Sequence, residues 1–405
     1  MPYRGLEHWW RAHLQRRPAW MNGLMLFCIF MAAIQLPLDF FGTPVARDEQ
    51  VWFGIVLHGW AAKVGELAHW LVYAAGAYGF WHMRSWMWPW AAVYAGQVAF
   101  AMFIWFAVHR GGGRGFVLAL LSLIPFGGLT SLLWRSRPLF HAGRAPLRAR
   151  YGNWALITGA SAGIGAEFAR ALAREGVSCV LTARRRERLD TLAEELASAY
   201  GVETRVVPLD LSAADGAERL VEAIADLDVG LVIANAGYGL AGRFATQDTR
   251  RLQDMVQLNC TAPVVLASRL LPRLLARGRG GLIIVSSIAG HQPLPLNAVY
   301  SATKGFDLLL GEALWAELQG SGVDVLVLQP GPTATEFQDV AGESAHAGEP
   351  AAQVVGIALN ALGRQPSVIS GWGNWLKANA AVRLAPRALV TLVAGRVMSQ
   401  WVPEE

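Results

Sequence analysis

The sequence predicts a chain of two parts: an all-α, membrane-embedded helical region, then an α/β domain built on a doubly wound parallel sheet. Three observations predict it. The 405 residues are 54% hydrophobic and only 16% charged, more apolar than ordinary soluble domains. Trp, Phe, Met and Leu crowd the first third. From Trp154 onward, short Val/Leu/Ile runs alternate with Gly-rich turns and Ala-rich helical stretches, as a strand-helix alternation requires.

Charge and cysteine usage narrow the function classes. The net charge of +5 comes mostly from Arg, clustered near the N-terminus, at 135–150 and at 184–188. None of these clusters is a long basic face interleaved with aromatics, so no nucleic-acid partner is expected; the first two suit membrane lipid headgroups. Cys28, Cys179 and Cys260 are far apart, which predicts neither disulfide nor bound metal.

The membrane region is expected over 1–135, with about four transmembrane helices at 22–41, 62–81, 86–108 and 116–134, since about 20 apolar residues span a hydrocarbon core of roughly 30 Å. The first lacks the small-residue cleavage site of a signal peptide and is read as retained. The second is the weakest, because Lys63, Glu66 and His69 lie in its first half; an amphipathic interfacial helix over 51–70 is the alternative. Arg4, Arg11, Arg16 and Arg17 precede the first span, and Arg135, Arg137, Arg144, Arg148 and Arg150 follow the last. Positive flanks favour the cytoplasm, so both ends are expected there, in a multi-pass protein of a bacterial inner membrane. Arg110 and Arg114 would then face outward, which counts against four spans. Trp9, Trp10, Trp86, Trp88 and Trp90 sit near span ends, where indole prefers the interface. His58, His69, His82 and His109 have no ligand spacing on one helix face and are read as packed rather than haem- or metal-binding. Residues 136–152, with Pro138 and Pro146, read as a basic linker.

The second part opens as strand, Gly-rich turn, helix: Trp154-Ala-Leu-Ile-Thr158, then Gly159-Ala-Ser161-Ala-Gly163-Ile164-Gly165, then an Ala-rich helix. Bare glycines let the backbone approach a pyrophosphate, whose charge a helix N-terminus favours. The fold expected is therefore of Rossmann type. A second strand from Ser178 ends at Arg184-Arg185-Arg186. An acid near this point binds the ribose 2′-hydroxyl of NAD, whereas Arg accommodates a 2′-phosphate; no acid stands here, so Arg184 and Arg185 favour NADP(H) over NAD(H). Arg186 and Arg188 are read as solvated charge. Further strands are expected at 204–208, 229–234, 281–287 and 323–329. Asp210, Asn235-Ala236-Gly237, Ser286-Ser287 and Pro330-Gly331 follow or end them, on the edge where such sheets bind ligands.

Residues 153–340 resemble the short-chain dehydrogenase/reductase family. Thr158–Gly165 match T-G-x-x-x-G-x-G, Asn235-Ala236-Gly237 match N-A-G, and Tyr300-Ser-Ala-Thr-Lys304 match Y-x-x-x-K. Ser287 stands thirteen residues before Tyr300, as the family's substrate-binding serine does. Asn259 matches the asparagine that completes the tetrad, and Pro330-Gly331-Pro332 with Thr335 resembles the loop that contacts the nicotinamide carboxamide. The resemblance implies that Gly159, Ser161, Gly163, Ile164, Gly165 and Asn235–Gly237 cradle the cofactor, that Lys304 also holds the nicotinamide ribose, and that Asp210 approaches the adenine. Asp210 reads equally well as a cap for the helix near Ser212. The chemistry has its own logic. Carbonyl reduction leaves an alkoxide that needs a proton from an acid of near-neutral pKa. A free Tyr, at about 10, is too weak, but a Lys one helical turn later favours its phenolate. Ser287 would donate to the substrate oxygen. Asn259 would support a water relay through the lysine.

The stretch after Pro332 is expected to be a mobile lid before a helix at 350–363. The catalytic domain is placed at 153–372 and an amphipathic tail at 373–405, which fits a membrane surface, the N-terminal bundle or its own domain equally. That tail loosely resembles those of family members acting on lipophilic ketones or alcohols, which suggests a lipophilic small-molecule substrate of ketoacyl, steroid, retinoid or long-chain aldehyde type. Oligomer formation through the helices that correspond here to 248–275 and 298–319 is common in the family, so the resemblance implies a homodimer, unless the membrane region blocks it. Two other classes stay open: a cofactor-sensing membrane interaction protein, and a redox protein passing electrons to a quinone or haem. Glu336 and His291 carry no assigned role.

Overall fold

A computed structural model describes the chain except residues 1–9, 11–12, 16, 53–54, 110–111, 141–144, 345–346 and 403–405. The expectations that rest on Arg4, Trp9, Arg11, Arg16, Arg110 and Arg144 fall outside the described residues. The chain divides into two compact units, Trp9–Arg144 and, for the described C-terminal part, Ala145–Glu405.

In the first unit, α1 (Ala19–Gly42) runs through one π turn at Met31–Gln35. A hairpin of β1 (Glu49–Trp52) and β2 (Ile55–His58) leads to α2 (Trp60–His82), followed by α3 (Met87–His109) and α4 (Gly112–Arg135). Among the described residues three helical stretches, not four, are long and apolar enough to cross a membrane: Ala19–Gly42, Met87–Ala107 and Phe116–Arg135. Three is odd, so they alone do not satisfy the expectation that both ends lie on one side. The second expected span forms the helix α2, but its first turns are polar by design. Lys63 Nζ lies 2.9 Å from Asp48 Oδ2 and 3.0 Å from Glu66 Oε2, all three side chains being buried. Lys63 also donates to the Phe40 carbonyl at 2.7 Å. An ion cluster of this kind is stable only when every charge is paired, and it lowers the hydropathy of the helix that carries it. Of the alternative interfacial helix over 51–70, the part up to His58 belongs to the hairpin and the part from Trp60 onward to α2. Leu26, Phe27, Phe100, Leu121 and Ile124 on the three apolar helices are exposed, an arrangement that lipid tolerates and water does not.

The second unit carries β3 (Trp154–Thr158), α5 (Gly163–Arg174), β4 (Ser178–Ala183), α6 (Arg186–Tyr200), β5 (Thr204–Pro208), α7 (Gly216–Ala223) and β6 (Val229–Ala234). There follow α8 (Thr249–Val256), a π turn at Gln257–Thr261, α9 (Ala262–Ala276), β7 (Gly280–Val285), α10 (Ala298–Glu317) and β8 (Val323–Gln329). The chain finishes through β9 (Thr333–Ala334), α11 (Phe337–Ala341), β10 (Glu349–Pro350), α12 (Ala351–Ala361), β11 (Ser367–Ile369) and α13 (Arg387–Met398). The main sheet is fully parallel in the order β11-β8-β7-β6-β3-β4-β5. Successive residues alternate between two cores. Ala155, Ile157, Leu231, Ile233, Ile283 and Leu326 pack with Phe168, Leu189 and Val354, on α5, α6 and α12. Leu156, Val232, Leu282, Ile284 and Val325 pack with Leu220, Leu266 and Leu270, on α7 and α9. Both faces are covered, so the strands read as continuous apolar runs.

Two features depart from the sequence reading, and one alternative it left open is decided. The seventh strand, β11, pairs with β8; at three residues it is too short to leave a periodic signal. Leu147 and Tyr151, assigned to the linker, join the first core. Tyr151 is 2% exposed and its hydroxyl donates to Asp324 Oδ2 at 2.8 Å, where Arg150 Nη2 also arrives at 2.9 Å. The tail packs on its own unit: Val390, Ala394 and Met398 are buried, and the Ser344 N–H donates to the Trp401 carbonyl at 2.7 Å. Replacing Tyr151 by Ala removes a buried ring, worth about 3–5 kcal/mol. Thermal unfolding should register it as a fall of about 10 °C in Tm; a Tm within 2 °C of the parent (~0.5 kcal/mol) would mean that this segment is a linker after all.

Candidate active site

The order of the sheet reverses beside β3, which has β6 on one side and β4 on the other. Chains leaving the carboxyl ends of β3 and β6 therefore part in opposite directions and open a crevice. Its floor is held by a small network. Thr158 Oγ1 accepts the N–H groups of Asn235 and Ala236, each at 2.9 Å, and Asn235 Nδ2 donates to the Thr158 carbonyl at 2.9 Å. The turn above it needs glycine. Gly159 and Gly163 have φ of +69° and +55°, where a Cβ is strained, and a Cβ on Gly165 would collide with the Gly159 carbonyl. The N-terminus of α5, with Ile164 in its first turn, opens into the space these residues leave. Thr335 from the loop after β9 approaches the same turn, its methyl 2.9 Å from where a Gly163 Cβ would lie. A cradle that three Cβ atoms would fill, at a helix N-terminus, fits the diphosphate of a nicotinamide dinucleotide.

The expected tetrad converges beyond this cradle. Tyr300 and Lys304 lie on the buried face of α10. Lys304 Nζ donates to the Val285 carbonyl at 2.8 Å and to Asp307 Oδ2 at 2.9 Å. A Cβ on Gly237 would stand 3.0 Å from Asn259 Oδ1 and 3.5 Å from Lys304 Nζ, which places the N-A-G turn against both. The π turn rotates Asn259 inward. There its Nδ2 donates to the Tyr238 carbonyl and to Thr303 Oγ1, both at 3.0 Å, and its Oδ1 accepts from the Tyr238 N–H at 3.2 Å. The two serines separate cleanly. Ser286 is buried and its hydroxyl donates to the Lys304 carbonyl at 2.6 Å, a structural bond, whereas Ser287 is half-buried and faces Tyr300, its Oγ donating to the Pro330 carbonyl at 3.4 Å and accepting from the Ala289 N–H at 3.1 Å. Pro330 and Gly331 stand at the end of β8. The Pro330 carbonyl accepts from the Ile288 N–H at 3.0 Å, and the Gly331 N–H donates to Ser370 Oγ at 3.2 Å.

The electrostatics correct one expectation. Burial pushes the Tyr300 phenol above its ordinary value; the Lys304 ammonium and the Ser287 hydrogen bond act in the opposite direction, and Glu343 and Asp307 add to the rise. Lys304 alone does not bring the phenol toward neutrality. Burial works against the Lys304 ammonium too, but Asp307 and the Tyr300 oxygen favour its charge, and the net direction is up. Burial also lifts the Cys260 thiol to about 11, with Asp307 adding and Lys304 opposing.

At the other end of the cradle, Arg185 Nη2 donates to Ser161 Oγ at 3.1 Å, and Nη1 pairs with Glu336 Oε2 at 2.8 Å. Arg188, expected to be solvated, also pairs with Glu336, while Arg186 pairs with Asp190 at 3.4 Å. Arg184 is exposed at the end of β4. Asp210 Oδ1 accepts from the Ser212 N–H and hydroxyl at 2.9 and 2.6 Å, which closes a turn; α7 begins only at Gly216, so Asp210 does not cap it. Within the expected lid, β9 pairs with β10, and Phe337 of α11 lies 5.3 Å from the Tyr300 ring. Sequence reasoning missed Asp307, Phe337, Ser370 and Glu336. Only Asp307, at helical spacing from Lys304 on one face, had left a readable signal. His291 hydrogen-bonds the buried Gln329. A separate cavity of about 560 Å³ beside Pro146, Gly152, Asn153 and Gly176 lies at the amino ends of β3 and β4, away from these groups.

Comparison with known proteins converges on one family. The family model described as short chain dehydrogenase matches residues 153–345. A 7beta-hydroxysteroid dehydrogenase of Clostridium sardiniense is 35% identical over 188 residues, 46% of this chain and 72% of that protein. A very-long-chain 3-oxoacyl-CoA reductase of Phaeosphaeria nodorum is 35% identical over 219 residues, 53% of this chain and 64% of that protein. Among solved structures, a 7beta-hydroxysteroid dehydrogenase superposes with a TM-score of 0.57 at 30% identity, covering 63% of this chain and all of its own. A short-chain dehydrogenase from Sphingobium yanoikuyae in complex with NADPH gives 0.53 at 32% identity, over 56% of this chain and 93% of its own.

The floor network is testable by itself. Asn235→Ala leaves the Thr158 and Gly159 carbonyls without their side-chain donor, and a loss of about 1–3 kcal/mol is expected. Calorimetry should show it together with a weakened dinucleotide affinity; unchanged values on both counts would remove Asn235 from the cradle.

Proposed function

The chain belongs to the short chain dehydrogenase family, oxidoreductases acting on CH–OH and C=O groups, and from that premise we propose that it is a membrane-anchored, NADP(H)-dependent reductase of a lipophilic carbonyl compound. One observation carries the reading. Tyr300, Ser287, Lys304 and Asn259 meet at the carboxyl edge of the sheet beside a glycine cradle.

When bound, NADPH supplies the hydride. Ser287 Oγ and Tyr300 Oη hold the substrate oxygen between them. As negative charge grows on that oxygen, Tyr300 Oη delivers its proton and Ser287 stabilises what remains. Lys304 holds the ribose and offers its ammonium to the phenolate that is left. Asn259, fixed by three hydrogen bonds, positions a water through which the proton is replaced. Phe337 over the Tyr300 ring excludes bulk water and strengthens each of these interactions.

Gly159, Ser161, Gly163, Ile164, Gly165 and Asn235–Gly237 would hold the diphosphate and adjoining ribose, with Pro330, Gly331 and Thr335 toward the nicotinamide and Asp210 toward the adenine. Arg184 and Arg185 would take the 2′-phosphate, Arg185 turning to it from Glu336. The substrate class is favoured by two things: relatives that act on long acyl chains or steroids, and three helices fit for lipid. We place the active site on the cytoplasmic side of a bacterial inner membrane. Phe306 and Leu309 on α10 and Val264 on α9 are exposed, which supports a homodimer.

Tyr300→Phe should lower kcat by about 10²–10⁴-fold while NADPH binding, followed by fluorescence, stays unchanged. Arg184→Ser with Arg185→Ser should raise the KM for NADPH about tenfold or more and leave that for NADH in place, as the loss of a charge-assisted phosphate contact predicts. Purified protein that binds NADPH yet reduces no long-chain ketone, aldehyde or ketoacyl thioester would rule out the substrate class.

A further inference from the structure

Asp307 stands one turn beyond Lys304 on the face of α10 that also carries Tyr300. Its residue exposure is 1%, and Oδ2 lies 2.9 Å from Lys304 Nζ. Oδ1 is buried with no hydrogen-bond partner. The reaction as proposed uses no acid at this position, and a buried carboxylate is costly wherever packing alone would suffice. The pair therefore calls for a reason.

The reason lies in what Tyr300 feels. A lone ammonium on the next turn draws the phenol toward its ionised form. An ammonium and a carboxylate 2.9 Å apart present only a dipole, whose field falls off faster with distance than that of a charge. Other groups also face the phenol: Ser287 from the end of β7 favours ionisation, and Glu343, which accepts from Asn297 Nδ2 at 2.8 Å, opposes it. Cys260 on the π turn faces the Lys304–Asp307 pair as a thiol. Among these, Asp307 is the carboxylate in contact with Lys304.

We propose that Asp307 is a positioning residue: its ion pair fixes Lys304 in place and offsets part of the ammonium's pull on Tyr300, so that Tyr300 remains a proton donor at neutral pH and the site is set for carbonyl reduction rather than alcohol oxidation. The last clause rests on the reductase reading above. Reduction needs the protonated phenol and fails as pH rises through its pKa. Oxidation needs the phenolate. Removing the carboxylate therefore moves both limits to lower pH.

The test reads Tyr300 directly. The full chain in lipid nanodiscs is labelled with [13Cζ]tyrosine, the Tyr300 resonance is assigned by its loss in Tyr300→Phe, and pH titrations compare the parent with Asp307→Asn. The midpoint should fall by about 0.3 unit or more, a twofold change in the ionisation ratio, and Asp307→Glu should return it toward the parent. An unmoved or raised midpoint overturns the role of Asp307. Asp307→Ser, smaller and uncharged, must give the same fall and stands in if the Asn variant does not fold. In turnover, the basic limb of NADPH-dependent ketone reduction should fall by the same amount, with oxidation at pH 7 gaining relative to reduction. A midpoint that falls in a chain with no turnover would sink the reductase reading and leave the electrostatic role of Asp307 intact.

Discussion

The structure of the site depends on one hydroxyl. Thr158 Oγ1 accepts two N–H groups from the chain leaving β6, and so ties together two strand ends that the reversal of the sheet drives apart. The Asn235 side chain then reaches back to the Thr158 carbonyl. With both ends pinned, the glycine turn has one path over the floor, and α5 must begin where its free N–H groups point into the crevice. The N-A-G turn is held in the same stroke. Its Gly237 backs onto Asn259 and Lys304, so the place where a diphosphate would sit and the place where a proton would move are fixed relative to each other by backbone, not by loops.

Most of this fold was legible in the sequence because burial on both faces forces continuous apolar strands, and those over Trp154–Thr158, Thr204–Pro208, Val229–Ala234 and Val323–Gln329 appear where the pattern placed them. β11 escaped because a three-residue strand has no period. Tyr151 escaped because an Arg-rich, Pro-bounded segment looks like a tether, and only the fold shows that Asp324 gives its hydroxyl a buried partner. The number of helices apolar enough to cross a membrane differs from the expected four for a related reason. Length marks α2 as a span, but its polar first turns serve an ion cluster whose other member, Asp48, lies twelve residues upstream of the helix start. Pairing of that kind is tertiary and leaves no local trace.

The residues of the candidate site divide along the same line. Glycine turns and the Tyr300–Lys304 spacing are local, and the sequence exposes them. Glu336 is different. Its partners Arg185 and Arg188 come from the start of another helix about 150 residues away, and no spacing rule connects them. Nor could the sequence weigh burial against charge. It showed a lysine one turn from a tyrosine and implied an acidic phenol, whereas the folded site buries both and adds two carboxylates to the balance.

That balance has a mechanistic consequence. An acid serves best when its pKa is close to that of the group it protonates at the moment of transfer. When the carbonyl carbon receives the hydride, its oxygen becomes an alkoxide, far more basic than a phenolate, so a phenol held in its protonated form is no handicap in that direction. It is a handicap in the reverse direction, where the same oxygen must first lose its proton. On the proposal made for Asp307, a site that buries its tyrosine and partly neutralises the neighbouring cation would favour one direction through its protonation state. Exclusion of water by Phe337 sharpens the bias, because each of these fields acts more strongly in a medium of low dielectric.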